Sequence, residues 1–287
     1  MELWNNDIEI CFFEESLRNF ASKEQLFYNI NDEFYAFAPK GCTTNGKALQ
    51  SRNALIGHYT EKWCKELFDP IARKFGFFAI NGVVCNEIGL TSQSSADLAI
   101  CTKNSMYQKS NDIKLIFEIK MSIVSNYRYD TNSIECIGDY KTHKGNPSLL
   151  RSDSMLKAIG KSVDIRVCGE KSATIPIVIL GNSPITSSYE EKVDHLSRSG
   201  VVQHFISLNP NPSDTDFIKK TKGNGFITPR SYSELESICA SLLESNRYYF
   251  SAMKNKVELG KIISLAAMER TEIERAEMFL SLIKNQY

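Results

Sequence analysis

The sequence has little that points to zinc, to a membrane or to secretion. Its eight cysteines include no Cys-x-x-Cys pair and its four histidines are scattered, which argues against a zinc site. No apolar run reaches the length of a membrane span, and the first residues lack the basic and apolar regions of a signal peptide. We therefore expect a reduced, cytoplasmic protein with no membrane partner.

The chain also has no net charge, so as a whole it offers no electrostatic case for binding nucleic acid. The charge is uneven along the sequence, however. Residues 1–40 are aromatic and hold eight acidic against three basic residues, whereas residues 141–171 hold seven basic against three acidic residues. A basic stretch can bind phosphates, while the acidic N-terminal segment would not lie along DNA.

Two short apolar runs, one with Asp97 and one with Glu118 and Lys120, flank a polar loop and predict a hairpin of two strands. Side chains alternate between the faces of a strand, so Glu118 and Lys120 share one face. The alternate positions take the other face and enter the core: Leu115, Phe117, Ile119 and Met121. When the strands pair, an aspartate, a glutamate and a lysine meet at the edge of the sheet.

This trio suits a hard divalent cation. Mg²⁺ prefers oxygen ligands and usually takes only one or two carboxylates from a protein. Asp97 and Glu118 can supply them, with the backbone carbonyl of Ile119 as a third oxygen and Lys120 beside a bound water. Metal and ammonium together favour attack on a phosphodiester. The alternative from these residues alone is an ion-paired strand without chemistry.

Asp97, followed 21 residues later by Glu118-Ile-Lys120, resembles the motif of PD-(D/E)XK nucleases, above all type II restriction endonucleases. The proline that usually precedes the aspartate is Ala96 here. The resemblance covers about residues 50–210. It implies an α/β, restriction-endonuclease-like core with a mixed central sheet flanked by helices, and Mg²⁺ as cofactor with Mn²⁺ as a substitute.

Further acids are candidates for the same site. A helix predicted over about residues 52–68, ending before Pro70, carries Glu61 on a flank with small neighbours. The resemblance implies that an upstream helix brings a glutamate near the metal, and Glu61 is the candidate. A solvated helix glutamate is the equal alternative. Glu66, on the opposite flank, and Glu87, before the Asp97 strand, are weaker candidates.

The basic stretch predicts a helix that starts at Asp153 and projects Lys157 and Lys161 from one side. Following directly on the Glu118 strand, these lysines are expected to contact DNA phosphates. The alternative is an ordinary amphipathic helix with a solvated lysine face.

Arg151-Ser-Asp153 is similar to the Arg-Ser-Asp-Arg element of restriction enzymes that read CCGG-containing sites. The resemblance implies that Arg151 and Asp153 contact bases, since arginine can bond guanine and aspartate can accept from cytosine. Ser154 stands in place of the second arginine of that element. Lys161 stands where those enzymes have an active-site acid.

The chain divides into an acidic and aromatic N-terminal segment at 1–50, the nuclease core at 51–210, and a helical region at 211–287 that is expected to pack on the core. Residues 125–150 look irregular and polar. Strands predicted at 175–181 and 201–208 flank a helix, which implies a right-handed crossover and a parallel pair. A continuous helix is predicted over about 252–285.

These features predict a type II restriction endonuclease that uses Mg²⁺ to cut double-stranded DNA at a short, palindromic sequence. We expect a homodimer, with the N-terminal segment and the C-terminal helices as candidates for the contact. Whether a cognate DNA methyltransferase acts on the same sequence stays open. The alternatives are a DNA-repair or recombination nuclease of the same fold and a non-catalytic DNA-binding protein. The recognition sequence, the overhang and the number of metals per site stay open.

Overall fold

The structure, a computed structural model, describes residues 1–41, 49–131, 133–245, 247–249 and 255–284. The strands, in chain order, are β1 (Tyr28–Ile30), β2 (Glu33–Tyr35), β3 (Phe78–Val83), β4 (Ala96–Cys101), β5 (Ile113–Ile119), β6 (Asn126–Asp130), β7 (Ser133–Gly138), β8 (Ile177–Gly181), β9 (His204–Ser207) and β10 (Phe226–Ile227). The helices up to residue 247 are α1 (Asn6–Asn19), α2 (Lys23–Leu26), α3 (Gln50–Lys74), α4 (Ser152–Val167), α5 (Glu190–Arg198) and α6 (Tyr232–Glu244).

A six-stranded mixed sheet organises the fold, with the order β10-β9-β8-β5-β4-β3. Strands β3, β4 and β5 pair antiparallel, and β5, β8, β9 and β10 pair in parallel. The predicted hairpin is confirmed as β4 and β5, with Leu98 opposite Phe117. The predicted parallel pair is confirmed as β8 and β9.

Helices cover both faces of this sheet. Helices α3 and α6 pack on one face, against side chains such as Phe117 and Leu180. Helices α4 and α5 pack on the other, against side chains such as Ile116 and Ile179. Strand β8 is buried along its whole length, as expected for a parallel strand between two helical layers. The chain is therefore an α/β protein.

A second sheet, antiparallel and ordered β1-β2-β6-β7, takes its strands β6 and β7 from the first half of the stretch 125–150, where irregular chain was predicted. Its strands alternate apolar and polar residues, with Tyr127 and Tyr129 on β6 and Ile134 and Cys136 on β7 packed against the main core. The prediction was wrong because each strand shows only two or three alternations. Its partners also come from the N-terminal segment, far away in the sequence.

Helix α3 includes Pro70, although the sequence predicted an end before it. A proline in a helix interior removes one hydrogen bond and costs roughly 3 kcal/mol. The turns around it bury Phe68 and Ile71 completely. Each such side chain contributes about 1.5–3 kcal/mol when buried, so packing against the sheet offsets the proline.

The N-terminal segment packs into the same core, with the aromatic side chain of Phe12 buried there. Glu9, also on α1, is buried as a carboxyl group. It accepts hydrogen bonds from Trp4 Nε1 at 2.8 Å, Val124 N at 2.9 Å and Ser125 N at 3.1 Å. These bonds tie α1 to the chain just after β5. Burial raises the pKa of Glu9 to about 7.

Replacing Glu9 with glutamine should flatten the pH dependence of stability between about pH 4.5 and 7. In this window the unfolded chain ionises Glu9 while the folded chain keeps it protonated. The wild type therefore loses stability as the pH rises, by about 3 kcal/mol across the window. Urea unfolding at several pH values measures the slope. The control is Glu14→Gln, an exposed position on α1, which should keep the wild-type slope. An unchanged slope in Glu9→Gln would refute the linkage.

Residues 248–287 form a compact unit of their own. Its described helices are α7 (Lys256–Ala266) and α8 (Glu272–Lys284), which contact each other, so the predicted continuous helix is wrong. The reason is a capping box: Thr271 Oγ1 accepts from Glu274 N, and Glu274 Oε2 accepts from Thr271 N. This box starts a new helix.

No helix within the described ranges combines the length and apolar character that crossing a membrane requires.

Candidate functional site

The start of β4 and the end of β5 bring Asp97 and Glu118 together, as the hairpin spacing predicted. Because Leu98 lies opposite Phe117, their neighbours Asp97 and Glu118 share the other face of the hairpin. Asp97 Oδ2 accepts a hydrogen bond from Ile119 N at 2.7 Å, which fixes the carboxylate over the end of β5. Only 19% of the Asp97 side chain and 7% of the Glu118 side chain are exposed.

The ammonium of Lys120 lies where three oxygens converge. Lys120 Nζ is 2.6 Å from Glu118 Oε1, 3.7 Å from Asp97 Oδ2 and 3.2 Å from Ile119 O. The space bounded by these oxygens is called the Lys120 position. The three predicted metal ligands thus surround one cation, and that cation is the predicted catalytic lysine.

A second ammonium, from Lys161 on α4, faces the other oxygens of both carboxylates. Lys161 Nζ is 2.6 Å from Glu118 Oε2, 3.3 Å from Asp97 Oδ1 and 2.7 Å from Ser95 O. The space bounded by these oxygens is called the Lys161 position. The sequence analysis predicted that Lys161 projects from an outer face of this helix and contacts DNA phosphates. The structure places it in the acid cluster instead, because this turn of α4 lies over the start of β4.

The charges in this cluster are strongly coupled. Burial and the charge of Asp97 raise the pKa of Glu118. Burial opposes the charge on Lys161, but the carboxylates of Glu118 and Asp97 outweigh it and raise the pKa of that ammonium. No donor among the described residues makes a well-aligned hydrogen bond to Glu118 Oε2, so the ion pair with Lys161 holds this oxygen by charge. Two carboxylates this close require cations beside them.

Glu61 of α3 lies within electrostatic reach of the same site. Burial and the charge of Asp97 raise the pKa of Glu61. Asn81 on β3 links the two elements, since its Nδ2 donates to Glu61 O at 2.9 Å and to Asp97 O at 3.2 Å. Sequence reasoning missed Asn81. The available signal was an amide side chain inside an otherwise apolar strand.

Glu87, the other candidate for a further acid, bonds elsewhere. Its carboxylate pairs with Lys171 and accepts from Ser110 N at 2.8 Å and Ser110 Oγ at 2.7 Å. These contacts hold the pKa of Glu87 well below its usual range. Of the two acids, Glu61 is the one that the fold places beside Asp97.

A buried hydrogen-bond network fixes the backbone at Lys120. Ser148 Oγ donates to Lys120 O at 2.6 Å and accepts from Asn182 N at 3.0 Å, and Asn182 Nδ2 donates to Ser122 O at 2.6 Å. A Cβ on Gly181 would lie 2.7 Å from Ser148 Oγ, so the close approach requires glycine there. The sequence did not reveal this network, because its members come from three separate segments.

Arg151 and Asp153 lie at the start of α4 and bind each other. Arg151 Nε is 3.0 Å from Asp153 Oδ1, and Nη2 is 2.7 Å from Oδ2, with both side chains about half exposed. The pair forms part of the wall of an open groove of about 610 Å³, which Tyr28, Phe37 and Arg52 also line. The pair is thus available on a concave surface.

Lys157 stands one turn before Lys161 on α4 and is exposed. The two lysines predicted to share one face of α4 therefore have different surroundings: Lys157 faces solvent, and Lys161 contacts Asp97 and Glu118.

The oxygens of Asp97, Glu118 and Ile119 are the ligands available here for a divalent cation. No group of three or more His, Cys, Asp or Glu side chains is arranged to hold a metal within the described part of the chain. Two carboxylates and a carbonyl are nevertheless oxygen ligands of the kind Mg²⁺ takes, with water completing its shell. Those oxygens already converge on a cation at the Lys120 position. The residues fit Mg²⁺ there if the Lys120 ammonium moves aside.

Comparisons with protein-family models, with curated proteins and with solved structures found no match to this chain.

Proposed function

We propose that this chain is a type II restriction endonuclease with a PD-(D/E)XK core, which hydrolyses double-stranded DNA at a short specific sequence with Mg²⁺ or Mn²⁺. One observation carries the proposal: oxygens of Asp97, Glu118 and Ile119 surround the Lys120 position, with the ammonium of Lys120 in it. The mixed sheet flanked by helices also supports it, since this is the architecture that the motif implies.

Asp97, Glu118 and the Ile119 carbonyl would hold the metal. When bound, Mg²⁺ supplies positive charge that stabilises the negative charge developing on the attacked phosphate. The Lys120 ammonium would move out of the metal position and remain next to it, where it orients the attacking water and stabilises the same charge. Water adds to phosphorus and releases a proton to solvent as the bond to a sugar oxygen breaks, and that leaving oxygen takes up a proton. Glu61 assists by orienting that water from the α3 side.

The charge balance of the site explains why a divalent cation would be required. Counting Glu61, the cluster holds three carboxylates against two ammonium groups and is negative. A DNA phosphate is repelled from such a site. A divalent cation reverses the sign and admits the phosphate. DNA binding outside the cluster is assigned to Arg151, Asp153 and Lys157.

The proposal includes a homodimer, because a double-strand cut attacks two phosphates and each chain carries one Asp97…Glu118-Ile-Lys120 set. Phe12 and Phe13 of the N-terminal segment are buried in the core, whereas the C-terminal unit exposes Val257, which makes that unit the candidate contact. Light scattering in Ca²⁺ should find two chains per DNA duplex. One chain per duplex would rule out the dimer and the symmetric site.

Digestion of a defined plasmid with Mg²⁺, followed by sequencing of the ends, tests the activity. Discrete fragments that share an end sequence are expected, and EDTA should prevent them. Nicking that depends on DNA structure rather than sequence would indicate a repair or recombination nuclease. Binding without cutting under Mg²⁺ and Mn²⁺ would indicate a DNA-binding protein and overturn the proposal.

Substitutions at Arg151 and Lys157 should separate base reading from backbone binding. Arg151→Ala should cost specific binding about 1–3 kcal/mol relative to nonspecific binding, since it removes a bidentate base contact. Lys157→Ala should weaken binding to all duplexes alike and reduce the salt dependence by roughly one phosphate contact.

Fluorescence anisotropy in Ca²⁺ with the cut sequence and a random duplex, at several salt concentrations, measures both effects. If Arg151→Ala lost equal binding affinity on the two duplexes, Arg151 would contact the DNA phosphate backbone and not a base.

A further inference from the structure

Two equivalent cation positions lie between Asp97 and Glu118. Each is bounded by one oxygen of each carboxylate and by one backbone carbonyl, from Ile119 at the Lys120 position and from Ser95 at the Lys161 position. A pair of carboxylates in this arrangement offers room for two cations. The protein fills both with its own ammonium groups.

The two ammonium groups are held differently. Lys120 contacts Ile119 and Glu118, which lie one and two residues before it in sequence. Its contact with Asp97 across the hairpin is long, at 3.7 Å. The ammonium can therefore leave with little loss of contact between elements. Lys161 comes from a separate helix, and all three of its oxygens lie within 3.3 Å. Moving its ammonium would break the polar contacts between α4 and the start of β4.

We propose that Lys161 is a positioning residue that keeps one of the two cation positions filled, so that each chain binds a single divalent cation, at the Lys120 position. The inference rests on the proposed function, because it needs the metal to enter beside Asp97 and Glu118. In this role Lys161 holds both carboxylates in place from the side opposite the metal. It also contributes one fixed positive charge in place of a second ion.

Metal stoichiometry tests the inference without reference to cleavage. Titration of the full chain with Mn²⁺, with free Mn²⁺ counted by electron paramagnetic resonance, should give one ion per wild-type chain. Lys161→Glu should bind two, because it replaces the fixed cation with a further carboxylate. Lys161→Met removes the charge but fills the space, so it should bind one ion roughly tenfold or more tightly, since a nearby like charge is lost.

The matched control is Lys157→Glu, the same charge change one turn earlier on α4 at an exposed position, which should bind one ion with wild-type affinity. Circular dichroism confirms that each variant is folded. Two ions per wild-type chain, or Lys161→Met binding no more tightly than wild type, would overturn the role of Lys161 and leave the proposed function standing. A wild-type chain that binds no Mn²⁺ and cuts no DNA would overturn the proposed function itself.

Discussion

Neither Asp97→Asn nor Glu118→Gln should cut DNA at a measurable rate. Each substitution keeps the size of the side chain but removes one of the two carboxylates that border the Lys120 position. Loss of a metal ligand removes several kcal/mol of charge stabilisation from the transition state, which lowers the rate by about a thousandfold or more. Single-turnover cleavage of a duplex that carries the cut sequence measures it.

DNA binding distinguishes a loss of catalysis from a loss of folding, because a folded variant that cannot cut should still bind the duplex. Without metal, both variants should bind the duplex at least as tightly as the wild type, because each removes a negative charge near the phosphate. Glu87→Gln is the matched control, since that acid bonds with Ser110 and Lys171 outside the cluster and should cut normally. If either Asp97→Asn or Glu118→Gln cut DNA near the wild-type rate, that residue would not be a metal ligand needed for cleavage.

The part of the fold that the sequence predicted is the part with local periodicity. Strands β4 and β5 are short apolar runs joined by a polar loop, so their pairing is local, and the sharing of a face by Asp97 and Glu118 follows from the period of two. The second sheet pairs β2 with β6, segments that no local pattern joins. The role of Glu9, which bonds the backbone at Val124 and Ser125, is hidden for the same reason.

The site shows the same division between local and distant information. Asp97, Glu118, Ile119 and Lys120 converge as predicted, because one hairpin carries them all. Lys161 was expected to face DNA phosphates and lies instead against Asp97, since helical spacing groups it with Lys157 but does not say which turn of α4 lies over the sheet. Periodicity defines the face of a helix, whereas packing decides which residue on that face meets a carboxylate.

Lys120→Ala should change rate and metal affinity in opposite directions. The ammonium occupies the space bounded by the predicted metal ligands, so its removal leaves Asp97 and Glu118 with one cation fewer and should tighten Mn²⁺ binding. The same change should lower the cleavage rate by about a hundredfold or more, because a charge beside the attacking water is lost. The control is Lys114→Ala, on the same strand. Lys114 bonds to Asn111 O, so its removal should alter neither the cleavage rate nor the Mn²⁺ affinity. Single-turnover rates and Mn²⁺ titration on the same preparations measure the pair. A variant that binds Mn²⁺ more tightly yet cuts at the wild-type rate would show that Lys120 only fills the space of the metal and takes no part in the chemistry.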